Sequence, residues 1–508
     1  MNHAHQKDTS TPGFFPRLLQ QITPVLLVIA FIAVVYLYFP FRNRLQFDGD
    51  EGINLMKSSL VMKGYPLYEQ IWSDQPPLLT YILVGAMRLL GTQVNTARSL
   101  ILLLSAVLLV TAFFILRKIW GYPHALVGAL LIIMLPFYLQ LSVSVMVGLP
   151  SLTFAVLSLL GVISWHQGRR WFWLVLSALA FSASVLIKLF TGFLIPIILV
   201  GLVLGEWTRS RSKPTLRLIL SPALIWGAVF SVVTIGAILL WVGPANLTQL
   251  YQSHLEGAAI FDNQIFTINY HLRDSLPLLL LSLFGILFTI MTRRWLSLYL
   301  VFWMGGAYLL LLRHSPVWYH HQLLVTVPAA MLGGVAVGEG LRWAFEAIRE
   351  RHWFRIRNLF ALLALLAFAL VIYDQVPDVS RRLRSGANWA DGPLQSSDLL
   401  EEAYQYVEQY APDTHWMVTD LPMFPYRFDL LVPPNLVVFS TKRFRTDLIA
   451  EEELYRTIDA YQPGMVLINK RILGLQPYLD EDYQLVFTRR DLDLFVRNDI
   501  YLKRQLAP

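Results

Sequence analysis

The chain has 508 residues, 56% hydrophobic and 15% charged, with a formal net charge of +7 and a mean hydropathy of +0.51. That balance excludes an ordinary soluble protein and describes a polytopic membrane protein with some soluble mass attached; its Lys and Arg excess lies in loops, which reports topology rather than nucleic-acid binding. There is no cysteine, so disulfides, thiolate nucleophiles and cysteine metal sites are excluded.

Residues 1–20 are polar-rich, and no A-x-A-like site follows the apolar run 22–41, so that run reads as a retained first span. Further runs long enough to cross a bilayer fall at 97–116, 123–141, 148–165, 171–187, 189–205, 217–242, 275–291, 295–312, 318–338 and 358–373, about eleven spans in all. The apolar stretch 76–91 is left out of that count. With it excluded, and the N-terminus inside, every cytoplasmic loop is basic: Arg117 and Lys118, Arg169 and Arg170, 209–217, Arg293 and Arg294, and 342–357. Counting it as a span would move four of those loops outside. It therefore reads as a helix at the outer interface, opened by Pro76 and Pro77.

The sequence divides into a membrane domain, 1–373, whose first outer loop (42–96) carries interfacial helices, and a soluble extracytoplasmic domain, 374–508. In the latter, helices are expected over 398–410 and 447–461 and strands at 415–419, 436–440, 465–469, 483–488 and 492–497, a small α/β unit.

The first outer loop opens with a dense acidic group, "FDGDEGINLM", holding Asp48, Asp50 and Glu51. Ile53, Met56 and Leu60 fall on one helical face, with Lys57 and Lys63 off it, which reads as an amphipathic helix lying on the membrane. Taken alone, Asp50 and Glu51 are equally well explained as a helix cap and a partner for the helix dipole. Downstream, "KGYPLYEQIWSDQPPL" (63–78) adds Asp74 before a Pro-Pro pair, and Lys188 stands isolated in "VLIKLFTGF" at an outer turn between spans. It is either a snorkelling helix-end lysine or a functional cation. "RHSPVWYHHQLLVTVPA" (313–329) gathers Arg313, Tyr319, His320 and His321 at another outer mouth, either as an interfacial belt or as ligand-binding groups.

The run Asp50-Glu51-Gly52, the stretch 63–78, "LLG" (89–91), Arg98 and "VLIKLFTGFLIP" (185–196) resemble the C-type (GT-C) polyprenyl-phosphate-sugar-dependent glycosyltransferases: protein O-mannosyltransferases, lipid A aminoarabinose transferases and lipopolysaccharide galacturonosyltransferases. The resemblance implies a GT-C membrane fold and transfer of a monosaccharide from a polyprenyl-phosphate donor to a hydroxyl of a lipid, glycan or protein acceptor outside the cell membrane. It implies Asp50 as the catalytic acid group with Glu51 its neighbour, and donor contacts from Lys188, Asp74, Arg313, Tyr319, His320 and His321. No cofactor is required; adjacent histidines without a third ligand do not define a metal site, and a divalent cation stays an open alternative. In the loop 243–274, His254, Glu256, Asp262, His271 and Arg273 read as solvated polar residues, with cover for the acceptor as the other option.

One departure stands out. Many members of the resembled group carry a second acid in the outer loop after the third span, and here "LSVSVMVGLP" (141–150) has no charge. Either Glu51 or Asp74 takes that role, or the acceptor differs, or activity is lost. A transporter, a diphosphate-donor oligosaccharide ligase and an inert scaffold are the competing readings.

Overall fold

The computed structural model describes residues 14–209, 215–253, 255–256, 264–350, 355–385, 397–440, 443–444, 446, 448–469, 476–479, 481–490 and 492–506. Among them nine helices are long and apolar enough to span a bilayer: Gln21–Tyr38, Val94–Ile119, Gly148–Gly168, Leu189–Thr208, Leu216–Trp241, Thr267–Thr292, Trp295–Arg313, Tyr319–Glu350 and Ile356–Arg384. Two further apolar helices, Tyr122–Ile133 and Phe172–Ile187, occupy the other two expected spans. Helix α1 is Phe14–Tyr38, α2 Gly49–Met62, α3 Leu78–Leu90, α4 Val94–Ile119 and α5 Tyr122–Ile133.

The expected span 123–141 is broken. Helix α5 ends at Ile133, Phe137 takes a left-handed φ of 64°, and a short turn, Tyr138–Leu141, follows. Pro136 explains the break: it lacks an N–H and disfavours helical geometry in the residue before it. Helix Phe172–Ile187 likewise stops where Lys188 becomes extended (φ −152°, ψ 126°) before the 3-10 turn Leu189–Phe193. The stretch 76–91 forms the 13-residue α3, with Pro77 before its first turn and Gly91 (φ 94°) after its last. At 1.5 Å per residue it is about 20 Å long. The last membrane helix runs to Ser385, past the expected domain boundary at 373.

Among the described residues, several of the expected cytoplasmic basic loops carry contacts to neighbouring helix ends, while 210–214 and 351–354 lie outside the described residues. Arg294 donates to the Ile119 carbonyl, Gln167 donates to the Lys118 carbonyl, Arg169 pairs with Glu206, and Arg357 pairs with Glu346, which also pairs with Arg342.

The C-terminal part holds a four-stranded sheet, β1 Met417–Thr419, β2 Met465–Asn469, β3 Tyr483–Arg489 and β4 Leu492–Arg497, in the order β1-β2-β4-β3. Strands β1 and β2 are parallel, and β4 is antiparallel to both β2 and β3. Strand β2 is buried throughout, and its alternating side chains feed two cores. Met465 and Leu467 pack with the helix Ser397–Tyr410, whereas Val466 and Ile468 pack with Leu454 and Ile458 of the helix Glu451–Tyr461.

That second core also contains Met56, Leu60, Leu67, Tyr68 and Ile71. The apolar stripe of α2 therefore faces the sheet domain and not the membrane surface, a correction to the sequence reading. The helix stripe shares this core with β2 and with the segment 431–439 of the C-terminal part. The expected strand 436–440 is also absent. Pro433 and Pro434 open the 3-10 turn Pro434–Leu436, which takes the start of that stretch, and the chain continues as buried irregular backbone.

The junction is tight at Gly52, where an added Cβ would lie 2.4 Å from the Met423 nitrogen. Replacing Gly52 with Ala is expected to cost about 1–3 kcal/mol by overpacking against main chain. A lowered thermal unfolding midpoint in detergent, with easier proteolytic release of the C-terminal part, checks this.

Candidate active site

Helix α2 begins with Asp48 as its N-cap. Its Oδ1 accepts a 3.0 Å hydrogen bond from the Asp50 amide, and its backbone carbonyl accepts from the Glu51 amide. The cap is Asp48 and not Asp50. Asp50, Ile53, Asn54 and Lys57 follow at helical spacings of three, four and seven and share one face of α2. That face lines a cavity of about 350 Å³.

Glu51 points the other way. It is fully buried, and Arg98 of α4 grips it with Nε and Nη2, both at 2.8 Å. The amides of Phe47 (3.0 Å) and Val145 (3.4 Å) donate to the same carboxylate. Arg98 also donates to the carbonyls of Phe41, Arg44 and Leu45 and lies over the Phe47 ring. Glu51 thus sits behind the cavity wall, where it ties α2 to α4, to the chain leaving α1 and to the uncharged segment 141–150.

The remaining wall comes from three other places. Asp74 is held on the loop after α2 by the Ser253 hydroxyl (3.3 Å) and by Nε2 of the Gln75 side chain (3.3 Å), both donating to its carboxylate. Beside it, Lys57 donates to Ser73 Oγ at 3.4 Å, and the Ser73 amide donates to Gln249. The helix break places Lys188 in the cavity, 8% exposed, with its ammonium 4.7 Å from the Phe190 ring centre and 3.2 Å from His321 Nε2. The segment 314–321 brings His314, Tyr319, His320 and His321 to the same space, and Val438 and Ser440 of the C-terminal part complete it. Tyr319 donates to Asp48 Oδ2 at 2.9 Å and accepts from Gln140 at 3.2 Å.

His321 Nδ1 accepts a hydrogen bond from the Trp318 amide at 3.2 Å. By that bond pattern, the proton of the neutral ring sits on Nε2. Nε2–H and the Lys188 ammonium are then two donors facing one another, an arrangement that suits an anionic oxygen held between them.

Asp48 is pushed up to about 7, first by burial and then by the Asp50 charge; hydrogen bonds from the Asp50 amide and Tyr319 work against this, and Glu51 adds a smaller push upward. Burial holds the Lys57 ammonium below the ordinary lysine range, opposed by the charges of Asp74 and Asp50.

Of the residues singled out from sequence, Asp50, Asp74, Lys188, Tyr319, His320 and His321 line one cavity. Glu51 does not, and Arg313 is exposed at the end of its helix, outside the lining; its neighbour His314 faces in. His271 and Arg273 are also outside it, and His254 and Asp262 fall outside the described residues. Among the described residues no group of three or more His, Asp or Glu side chains is arranged to hold a metal ion. Asp48, named from sequence only as part of the acidic group, lines the cavity as well, and Lys57 and His314 line it without having been singled out; the i, i+7 spacing of Lys57 from Asp50 was the available signal.

Two outcomes follow. Replacing Glu51 with Gln leaves Arg98 buried without its charge partner and is expected to cost about 3–5 kcal/mol of stability, read as a fall in the thermal midpoint. Asp48 binds its proton more tightly folded than unfolded, so its contribution is full below the unfolded value of 3.8 and is lost as pH rises through about 7. Thermal midpoints measured from pH 4 to 8 should carry this decline in the wild type, and Asp48→Asn should flatten it.

Residues 74–235 match the family described as dolichyl-phosphate-mannose-protein mannosyltransferase. No curated protein matches the sequence. Among solved structures, ArnT from Cupriavidus metallidurans in the apo state superimposes with a TM-score of 0.63 at 16% identity, covering 93% of this chain and 97% of that one. The undecaprenyl-phosphate-bound form of ArnT gives 0.56 at 15% identity over the same shares, 93% and 97%. Archaeal oligosaccharyltransferase AglB from Archaeoglobus fulgidus, in complex with an inhibitory peptide and a dolichol-phosphate, gives 0.54 at 13% identity, covering 92% of this chain and 71% of that one. The chain is a multi-pass membrane protein with the fold of the GT-C glycosyltransferases, a helical membrane domain followed by a C-terminal sheet domain.

Proposed function

We propose that the protein is a glycosyltransferase that moves a monosaccharide from a polyprenyl-phosphate donor to an acceptor hydroxyl on the outer face of the membrane. The observation that carries this reading is the convergence of Asp50 with Lys188 and His321 on one cavity. The undecaprenyl phosphate bound by ArnT and the dolichol-phosphate bound by AglB support a lipid-phosphate ligand. The contacts made by several of the basic loops at the opposite end of the bundle support an extracytoplasmic cavity under the positive-inside rule.

In the reaction, Asp50 accepts the proton of the acceptor hydroxyl. The freed oxygen forms a bond to the anomeric carbon as the bond from that carbon to the phosphate oxygen breaks. The electron pair leaves with the polyprenyl phosphate, and the Lys188 ammonium and His321 Nε2–H stabilise the charge it gains. Tyr319, His320 and Asp74 bound the sugar subsite, and Glu51 acts through Arg98 to aim α2. The acidic and basic groups lie at one end of the bundle and not at its midplane, which disfavours a transporter. The cavity volume of about 350 Å³ suits one sugar phosphate better than a diphosphate-linked oligosaccharide.

The test uses a deletion strain carrying each variant, with glycan and lipid profiling, and native mass spectrometry of the purified protein with undecaprenyl phosphate. Asp50→Asn should lower transfer by about 10²–10⁴-fold while lipid-phosphate binding persists. Lys188→Met should weaken that binding by about tenfold or more, the loss of one charge-assisted hydrogen bond. Full transfer by Asp50→Asn, or unchanged binding by Lys188→Met, refutes the assignment.

A further inference from the structure

The cavity holds a second lysine that the transfer chemistry above does not use. Lys57 is 2% exposed, two helical turns beyond Asp50 on the same face of α2. Its ammonium reaches Ser73 Oγ at 3.4 Å, next to Asp74. A neutral hydroxyl at that distance is poor compensation for burying a charge. The negative groups that line the cavity beside it are Asp74, next to Ser73 in the chain, and Asp50, seven residues earlier on the same face of α2, and their charges oppose the effect of burial on the ammonium.

We propose that Lys57 is a positioning residue that keeps Asp50 and Asp74 ionised inside the cavity and fixes the loop carrying Asp74 relative to α2. This rests on the reading of Asp50 as the base only for its functional meaning. The physical basis is reciprocity: the same attraction that holds the Lys57 proton in place expels protons from the two carboxylates. The neighbourhood makes this necessary. Asp48 and Asp50 project from the start of α2 and Asp74 from its loop, while Lys188 stands at the helix break with His314, Tyr319, His320 and His321 around it. Behind Trp72, Arg443 of the C-terminal part lies 4.3 Å from the indole ring centre and feels the Asp74 charge. Without Lys57, three carboxylates would share one wall, and crowding would drive protons onto them. A protonated Asp50 cannot accept the hydroxyl proton.

Hydrophobic carbodiimides form adducts with protonated carboxyl groups, so they read this state without any substrate. The full-length protein in detergent is treated with dicyclohexylcarbodiimide from pH 5 to 8, and adducts at Asp48, Asp50 and Asp74 are quantified by peptide mass spectrometry. In the wild type, labelling of Asp50 and Asp74 should rise only toward acid pH. In Lys57→Met it should rise roughly tenfold at neutral pH, the effect of removing one nearby opposite charge. Lys57→Arg should restore the wild-type profile, and Lys57→Gln, which keeps a donor for Ser73, should behave like Met and guards against a folding defect. Unchanged profiles at Asp50 and Asp74 in a variant that keeps the wild-type thermal midpoint overturn the inference. If Asp50→Asn retains full transfer while the labelling shift is seen, the role of Lys57 stands and the assignment of Asp50 as base falls.

Discussion

The arrangement depends on one buried ion pair. Arg98 and Glu51 are both fully removed from water, and their two parallel 2.8 Å bonds are supported by backbone carbonyls on the Arg98 side and amides on the Glu51 side. Such a pair is costly to bury and adds little net stability over an apolar substitute, but it is intolerant of losing one member. Its value here is directional. It fixes the rotation of α2 about its own axis, and a helix residue's facing is set at about 100° per position. Holding Glu51 against α4 presents Asp50, Ile53, Asn54 and Lys57 to the cavity and Met56 and Leu60 to the sheet domain.

The C-terminal part is therefore a wall of the site and not an appendage. It covers the apolar stripe of α2, passes main chain across Gly52, donates Arg427 Nη2 to the carbonyls of Arg44 and Leu45, and supplies Val438 and Ser440 to the cavity. The same carbonyls accept from Arg98, so two guanidinium groups from different parts of the chain converge on the connection that leads into α2.

Much of the membrane domain was legible because apolar length and basic loops are strong, local signals. The eleven expected spans all correspond to helices, with the Pro136 break in one of them. The acidic group and Lys188 were legible as polar anomalies in apolar surroundings. What sequence could not give was partnership. Glu51 and Asp50 are adjacent and chemically alike, and only the position of Arg98, 47 residues away, separates a structural carboxylate from a cavity one. Met56 and Leu60 have the spacing of a membrane-facing stripe, and nothing local reveals that they share a core with residues of the C-terminal part more than 350 positions later. The segment 436–440 has strand composition, yet two prolines before it and a cavity beside it decide otherwise.

The bond from the Trp318 amide to His321 has a consequence for how this site can vary. The direction of the imidazole proton is dictated by main chain, so the indole at 318, half of which is in solvent, is not what orients the ring. Any residue with an N–H at that position would leave the imidazole donor aimed at the ammonium of Lys188. Proline alone would remove the constraint, release the ring to its other tautomer, and turn a clamp for negative oxygen into an ordinary lysine–histidine contact.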